Sequence, residues 1–291
     1  MKFTWQKQQT DPKTIKKFLK LHGISHRMYK EIKTAGQILV NHQPSQPEEL
    51  LKDGDQVTVV LPTETSDPNV AVSEQPIKVV YEDDNWLVVD KEAGLTVVPG
   101  PANRKDTLVN RVKGYLKRQG AVDLVPHIIT RLDRFTSGLV LVAKHRLANS
   151  LANDLLAKKQ IDKRYLAIVS GTGLPSHGRI QKPIAKDPNG FGQIISEAGR
   201  LADTEYWVRQ QLTDRTLVAV VLHTGRTHQI RVHFASIGHP LLGDHLYHGP
   251  MNLGINRQAL HAAMLGFEDP FSHQEIKLEL PMPGDMKTVL D

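Results

Sequence analysis

Cysteine is absent from this sequence, which excludes disulfides, thiolate metal sites and cysteine nucleophiles. Aromatic residues amount to only 5%. No uncharged apolar run approaches the ~18 residues of a membrane-spanning helix. The opening residues, Met1 to Lys13, hold no apolar segment of signal-peptide length. Residues 172–200 are rich in Gly, Pro and Ser but contain neither GxxxxGK[ST] nor GxGxxG. They are therefore read as excursions between strands, with no phosphate-cradling turn. The expectation is a cytoplasmic protein that makes no membrane contact.

What is present suits an ordinary globular chain, with 40% hydrophobic and 23% charged residues. A length of 291 residues accommodates one large domain and a small one. The formal net charge of +6 points mildly toward a polyanionic partner. The excess is concentrated early: Lys2, Lys7, Lys13, Lys16, Lys17, Lys20, Arg27, Lys30 and Lys33 face only Asp11 and Glu31. Ile15 and Leu19, then Met28 and Ile32 after a turn at His22-Gly23, recur at helical spacing with the lysines on other faces. Ser25 stands at an N-cap position. Residues 37–41 and 55–61 read as strands.

Residues 62–76 carry Pro62, Pro68 and Pro76 and no Lys or Arg, the composition of a linker. This divides the chain into a module over 1–62, a flexible tether over 63–76 and a large domain over 77–291. The large domain opens with two apolar runs around Asp83-Asp84, a hairpin pattern. Leu108, Val112 and Leu116 form a helical stripe capped near Asp106 or Thr107. Leu147, Leu151 and Leu155 repeat that spacing. Residues 163–171, 204–208, 217–222 and 275–280 read as further strands.

The densest stretch is His127–Lys144. Ile128-Ile129 leads into Arg131, Asp133 and Arg134. The chain then breaks at Thr136-Ser137-Gly138 and resumes as the apolar run Leu139 to Ala143. Strand, charged loop and strand would set one carboxylate between two guanidiniums at a sheet end. Opposite charge nearby favours the ionised form, so Asp133 is expected to be an anion suited to act as nucleophile or base. A structural ion pair that ties down a loop accounts for the same residues equally well.

Two resemblances decide between these readings. Thr130-Arg131-Leu132-Asp133-Arg134-Phe135-Thr136-Ser137-Gly138 resembles the arginine-leucine-aspartate motif of RNA pseudouridine synthases of the RluA/RluD type. It departs at Thr130, where His is usual, and at Phe135, where Asp is usual. The run from Thr224 to His233, with Gly225-Arg226, His228-Gln229-Ile230-Arg231 and His233, is similar to a second motif of the same enzymes. It continues through Gly238-His239-Pro240-Leu241-Leu242-Gly243-Asp244 to Tyr247. Separately, His22-Gly23-Ile24-Ser25, Gly36 to Asn41 and Gly54-Asp55 resemble the RNA-binding module first recognised in a ribosomal small-subunit protein.

The resemblance implies an α+β pseudouridine synthase fold, with a mixed, largely antiparallel sheet in two halves around a catalytic cleft. A small N-terminal α/β RNA-binding module precedes it. It implies Asp133, Tyr165 (from a Lys-x-Tyr) and Arg231 as catalytic residues, with Arg231 paired to Asp133. It implies RNA contacts by Arg131, Arg134, Arg226, His228 and Gln229, and in the module by Lys16, Lys17, Lys20, Arg27 and Lys30. Neither metal nor organic cofactor is expected, and the partner is RNA, preferably large-subunit ribosomal RNA, bound by a monomer.

Two other classes compete. A metal hydrolase could draw on His223, His228, His233, His239, His245, His248 and His261. However, His228 and His233 are five apart and no HExxH occurs. A non-catalytic RNA-binding or assembly protein fits the basic module equally well, since a charge run more often just solvates a helix face. Such a protein gains nothing from an anion in a groove meant for phosphate.

Overall fold

The computed structural model describes residues 1–45, 49–101 and 103–291. The small module runs β1 (Lys2–Gln6), α1 (Ile15–Leu21), α2 (His26–Ala35), β2 (Gln37–Val40), β3 (Gln43–Pro44) and β4 (Gln56–Val60). Its strands form one antiparallel sheet in the order β1-β4-β2-β3. The two helices exist because each buries one stripe: Ile15, Phe18 and Leu19 on α1, and Met28, Tyr29 and Ile32 on α2. The Ser25 side chain accepts from Met28 N at 3.2 Å and so satisfies one of the free N–H groups at the start of α2. Strand β1 lies at the sheet edge, pairing Lys2 with Val60 through Gln6 with Gln56. Only Phe3 and Trp5 of its five residues are even half-buried, so its sequence carries little strand signal.

The large domain contains β5 (Lys78–Glu82), β6 (Trp86–Lys91), α3 (Leu108–Arg118), β7 (His127–Ile128), β8 (Ser137–Ala143), α4 (Arg146–Ala157), β9 (Asp162–Ser170), β10 (His177–Gln181), β11 (Ile184–Lys186), β12 (Gln193–Ile195), β13 (Asp203–Gln211), β14 (Arg215–Leu222), α5 (Gln229–Ala235), β15 (Leu260–Glu268), β16 (Glu275–Glu279) and α6 (Gly284–Thr288). The main sheet runs β10-β13-β14-β9-β15-β8-β6-β5, with β16 beside β15 and β7 beside β8. Every pairing in it is antiparallel except β8 with β15. The expected α+β fold with a mixed, largely antiparallel sheet is the observed one.

The parallel seam is short, His261 opposite Ser137 and Ala262 opposite Gly138, and it joins the two halves of the sheet. Gly138 sits there at φ +115°, and a Cβ at that position would lie 2.3 Å from the Ala262 carbonyl oxygen. All seven residues of β8 are buried. Val140 and Val142 pack on one face with Val112 of α3 and Phe234 of α5. Leu139, Leu141 and Ala143 pack on the other with Ala148 and Ala152 of α4. A strand covered on both faces must be apolar throughout, which explains the unbroken run.

Residues 172–200, expected as mere excursions, hold three strands. Edge strand β10 reads HGRIQ and buries only Ile180, while β11 and β12 form a separate two-stranded ribbon. Short polar edge strands give almost no periodic signal.

The segment 63–76 has no regular element, yet it is not a free tether. Glu64 N donates to Asp123 Oδ1 at 2.8 Å, and the Glu64 carboxylate faces His127 Nε2 at 3.1 Å and accepts Arg146 N at 2.9 Å. Lys113 Nζ donates to the carbonyls of Asp67 (3.0 Å) and Val70 (2.6 Å), and Asn110 Nδ2 to that of Ala71 (2.8 Å). The module also packs directly on the large domain. Leu147 of α4 belongs to the module's core, Arg146 pairs with Glu31, and Phe3 lies 5.2 Å from the His145 ring. A Cβ on Gly23 would sit 2.5 Å from Leu151 Cδ2. The expectation of a flexible tether over 63–76 is corrected. The segment's composition is that of a linker, but its backbone is bonded by polar side chains that come from elsewhere in the chain.

Two outcomes follow from this docking. Under native conditions, endoproteinase Glu-C leaves Glu64 uncut, as read by mass spectrometry of the digest; prompt cleavage there would mean a loose tether. His145 is buried with Nδ1 accepting from Ala148 N, and burial lowers its imidazole to about 4. The unfolded chain, with an ordinary value near ~6.5, binds that proton more readily. Its contribution to stability is complete above that value and is lost as pH falls toward 4. Melting temperature should therefore drop between pH 6.5 and 4, and drop less steeply in His145→Asn.

Candidate active site

The loop between β7 and β8 is fixed from beneath. Lys91, at the end of β6, is buried and its ammonium donates to the carbonyls of Glu92 (2.8 Å), Leu95 (2.9 Å) and Arg134 (3.1 Å). Burial brings that ammonium down to about 7, against the opposing pull of the Asp133 anion. Gly94 N also donates to the Arg134 carbonyl, and Thr136 N to that of Asp133. Thr130, standing where the motif has His, is buried and its hydroxyl accepts Leu141 N at 2.9 Å. The loop is thus locked to both neighbouring strands, and the Asp133 side chain stays half-buried and open to one side.

Neither flanking arginine pairs with Asp133. Arg134 Nε donates to the Gly94 carbonyl at 3.0 Å, and its guanidinium lies 5.0 Å from the centre of the exposed Phe135 ring. Arg131 is exposed and has no polar partner among the described residues. The expectation of a carboxylate held between its own neighbours in sequence gives way to a contact from another element.

That contact is Arg231, from α5. Its Nη1 donates to Asp133 Oδ2 at 3.1 Å, while Nε and Nη2 grip Asp244 Oδ2 and Oδ1 at 2.7 and 2.8 Å. Asp244 is 1% exposed. Although burial opposes it, the two carboxylates together hold the guanidinium above its ordinary range. The forked pair with Asp244 orients the side chain and leaves one nitrogen for Asp133. Tyr247, from the 3-10 turn His245–Tyr247, places its ring 5.0 Å from the same guanidinium.

His228 precedes α5 in the left-handed region, φ +54°, a costly backbone for a non-glycine residue. The twist aims the ring inward: Nε2 lies 3.9 Å from Asp133 Oδ2, and Nδ1 bonds the Tyr247 hydroxyl at 3.0 Å. Burial lowers its imidazole, against the raising effect of Asp133, so His228 is neutral at pH 7. Gln229, expected to touch RNA, is buried at the cleft wall. Its amide donates to Asp203 O and Thr204 Oγ1, and its carbonyl accepts from Thr224 Oγ1 and Arg226 N. Those bonds occupy the side chain and support the Thr224-Gly225-Arg226 turn. Arg226 itself is half-buried and donates Nε to Leu201 O.

These groups line one cleft of about 1010 Å³, walled by Arg131, Asp133, Arg134, Tyr165, Arg226, His228 and Arg231. Tyr165, on β9, is buried, and desolvation together with the Asp133 anion pushes its phenol far above the ordinary range. It therefore remains a neutral aromatic wall. Lys163, two residues away on the same strand face, also lines the cleft. Desolvation lowers its ammonium, and no counter-ion meets it among the described residues. The module cations Lys16, Lys17, Lys20, Arg27 and Lys30 are all exposed on α1 and α2, with Arg27 paired to Glu31.

The histidines that a metal hydrolase would need are dispersed. His223 bonds Glu205, His233 bonds Thr204 and the Lys182 carbonyl, His239 the Ser170 carbonyl, and His261 bonds Ser137. No group of three or more metal-ligating side chains occurs among the described residues.

The geometry is a carboxylate anion aimed into a basic, aromatic-walled groove, with its counter-ion clamped from behind. The sequence profile of RNA pseudouridylate synthases matches residues 85–236. The chain is 34% identical over 279 residues to the uncharacterized RNA pseudouridine synthase YjbO of Bacillus subtilis, covering 95% of this chain and 98% of that protein. It is 36% identical over 274 residues to the ribosomal large subunit pseudouridine synthase D of Xanthomonas campestris, covering 88% of this chain and 81% of that one. Among solved structures, the human RNA pseudouridylate synthase domain containing 1 superposes with a TM-score of 0.62 at 22% identity, over 75% of this chain and 89% of its own.

Sequence reasoning quoted Asp244, Tyr247 and Lys163, the lysine of the Lys-x-Tyr, but gave them no task. Asp244 carries no local mark, being thirteen positions from the guanidinium it holds. Removing one partner of a buried pair costs about 3–5 kcal/mol. Asp244→Ala should therefore lower the unfolding free energy in urea by roughly 3 kcal/mol. Asp133→Ala, at the open end of the same arginine, should cost under about 1 kcal/mol. Equal losses would mean that Asp244 is not the anchor.

Proposed function

Since this chain belongs to the RNA pseudouridine synthase family, of the RluA/RluD type, and is an RNA-modifying isomerase, we propose that Asp133 is its catalytic carboxylate and large-subunit ribosomal RNA its substrate. The observation that carries this is the 3.1 Å contact between Asp133 and Arg231 at the wall of the cleft that Tyr165 also lines. In the reaction the bond from ribose C1′ to uracil N1 breaks, the base turns, and C1′ bonds to C5 instead. The proton lost from C5 balances the one gained at N1. Nothing is oxidised and no group departs.

Asp133 acts on the ribose, by direct attack or by removing a proton. Arg231 keeps that carboxylate in one orientation. The target uridine must first leave its stack, at a cost of a few kcal/mol. Tyr165, kept neutral by burial, packs on the extruded ring, and stacking of this kind is worth ~1–3 kcal/mol per base. Arg131, exposed and without a polar partner among the described residues, fills the vacated space and stacks on the bases left behind. Arg134 and Arg226 stand at the rim as phosphate contacts, and Lys163 supplies a further cation inside the cleft.

Residues 1–62 bind RNA through Lys16, Lys17, Lys20, Arg27 and Lys30, and residues 77–291 hold the chemistry. The preference for large-subunit ribosomal RNA rests on relatives named for that substrate and on the appended basic module. One chain contains every group of the site, which supports a monomer. A cytoplasmic location agrees with the absence, among the described residues, of any helix long and apolar enough to cross a membrane.

Asp133→Asn should abolish pseudouridine formation in a large-subunit ribosomal RNA transcript while leaving RNA affinity within a few-fold. Pseudouridine mapping and filter binding on the same preparation measure the two. Turnover that survives the substitution would remove Asp133 from the reaction.

A further inference from the structure

Phe191 is 97% exposed, and nothing in the fold requires it there. It lies at the tip of the β11–β12 ribbon, between Gly190 and Gly192, where the turn already has its polar chemistry. Asn189 N donates to Asp187 Oδ1 at 2.9 Å, and Asp187 N donates to the Gly192 carbonyl at 3.2 Å. Pro188 and the two glycines complete a tight reversal that a serine or asparagine at 191 would serve as well. An apolar side chain so placed contributes nothing to the core, so its value must come from something it meets.

The base of the ribbon is built into the catalytic cluster. Ile184 and Ile195 pack with Val232 of α5 and with Tyr247. Gln193 N donates to the Tyr247 hydroxyl at 2.8 Å, and that hydroxyl bonds His228, which faces Asp133. The ribbon is therefore an arm rooted on Tyr247, whose ring lies against the Arg231 guanidinium. Its surroundings suit nucleic acid: Lys186 and Arg200 are exposed on the ribbon and its return, and Arg226, half-buried, lines the cleft. Leu246, 40% exposed, continues the apolar surface beside Gly192.

We propose that the ribbon tip is a base-stacking wedge, in which Phe191 stacks on a nucleobase of the RNA seated in the cleft, at a place separate from the pocket walled by Tyr165. This rests on the reading of that cleft as the seat of an RNA substrate. An aromatic ring on a cation-flanked arm binds bases whatever their identity, because every base offers a π-face, and apolar wedges of this kind part neighbouring bases. The wedge adds affinity for RNA whose bases are unpaired or splayed and none for a uniform duplex.

The test uses the full chain with a large-subunit ribosomal RNA transcript. Phe191→Ala should raise KM for the transcript by about 5- to 150-fold, with a much smaller effect on kcat, and Phe191→Trp should restore it. The Phe191→Trp chain, compared with the wild type, should show added tryptophan fluorescence that the transcript quenches and heparin, a polyanion without bases, does not. A KM within two-fold of wild type in Phe191→Ala, or equal quenching by heparin, would overturn the wedge. A wild-type chain that modifies no uridine would instead overturn the reading of the cleft, and the quenching measurement would still decide the wedge, since it needs binding without turnover.

Discussion

One guanidinium shared by two carboxylates sets the geometry of this site. Asp244 takes two nitrogens of Arg231 in a buried fork, and Asp133 takes the third from the cleft side. The asymmetry matters. A single exposed arginine would follow the carboxylate wherever it moved, at the expense of order in both. Fixed from behind, Arg231 becomes part of the scaffold, and Asp133 is oriented by something that does not move. The residues around it serve the same end: Tyr247 covers the guanidinium, His228 fills the near side, and Gln229 locks the turn from which α5 begins.

The sheet seam lets these groups meet. Asp133 precedes β8 and Arg231 follows β14, on opposite sides of the one parallel pairing. Close approach of the two halves depends on Gly138, since any side chain there would strike the Ala262 backbone. Lys91 adds the vertical constraint, tying the aspartate loop to the end of β6 through the Arg134 carbonyl while also holding those of Glu92 and Leu95. Loop, seam and helix are each held by polar groups that are themselves buried, an arrangement that favours one geometry over many.

Much of this was legible from residue order. The apolar run of β8, the stripe of α3 and the hairpin around Asp83-Asp84 follow from periodicity, because each element buries a defined face. The pairing of Arg231 with Asp133 came from motif resemblance alone, and no spacing rule connects positions 98 residues apart. What stayed hidden was of two kinds. Strands β1, β10, β11 and β12 lie at edges and bury few residues, so their alternation is faint. The role of Asp244 and the docking of residues 63–76 depend on partners distant in sequence. A polar, proline-bearing segment looks free until Lys113 and Asn110 are seen to occupy its carbonyls. The neighbour-based picture of Asp133 between Arg131 and Arg134 failed for a related reason. Loop side chains splay outward, and adjacency in the chain is not contact.

The shared core between the module and α4 has a mechanical meaning. With Leu147 in both packings, Gly23 pressed against Leu151 and Arg146 bridging to Glu31, the lysine face of the module and the aspartate loop stand at a set separation, like the jaws of a gauge. On the function proposed above, an RNA that offers its phosphates at the matching interval would engage both jaws with no hinge to freeze, and one that offers them elsewhere would reach only one.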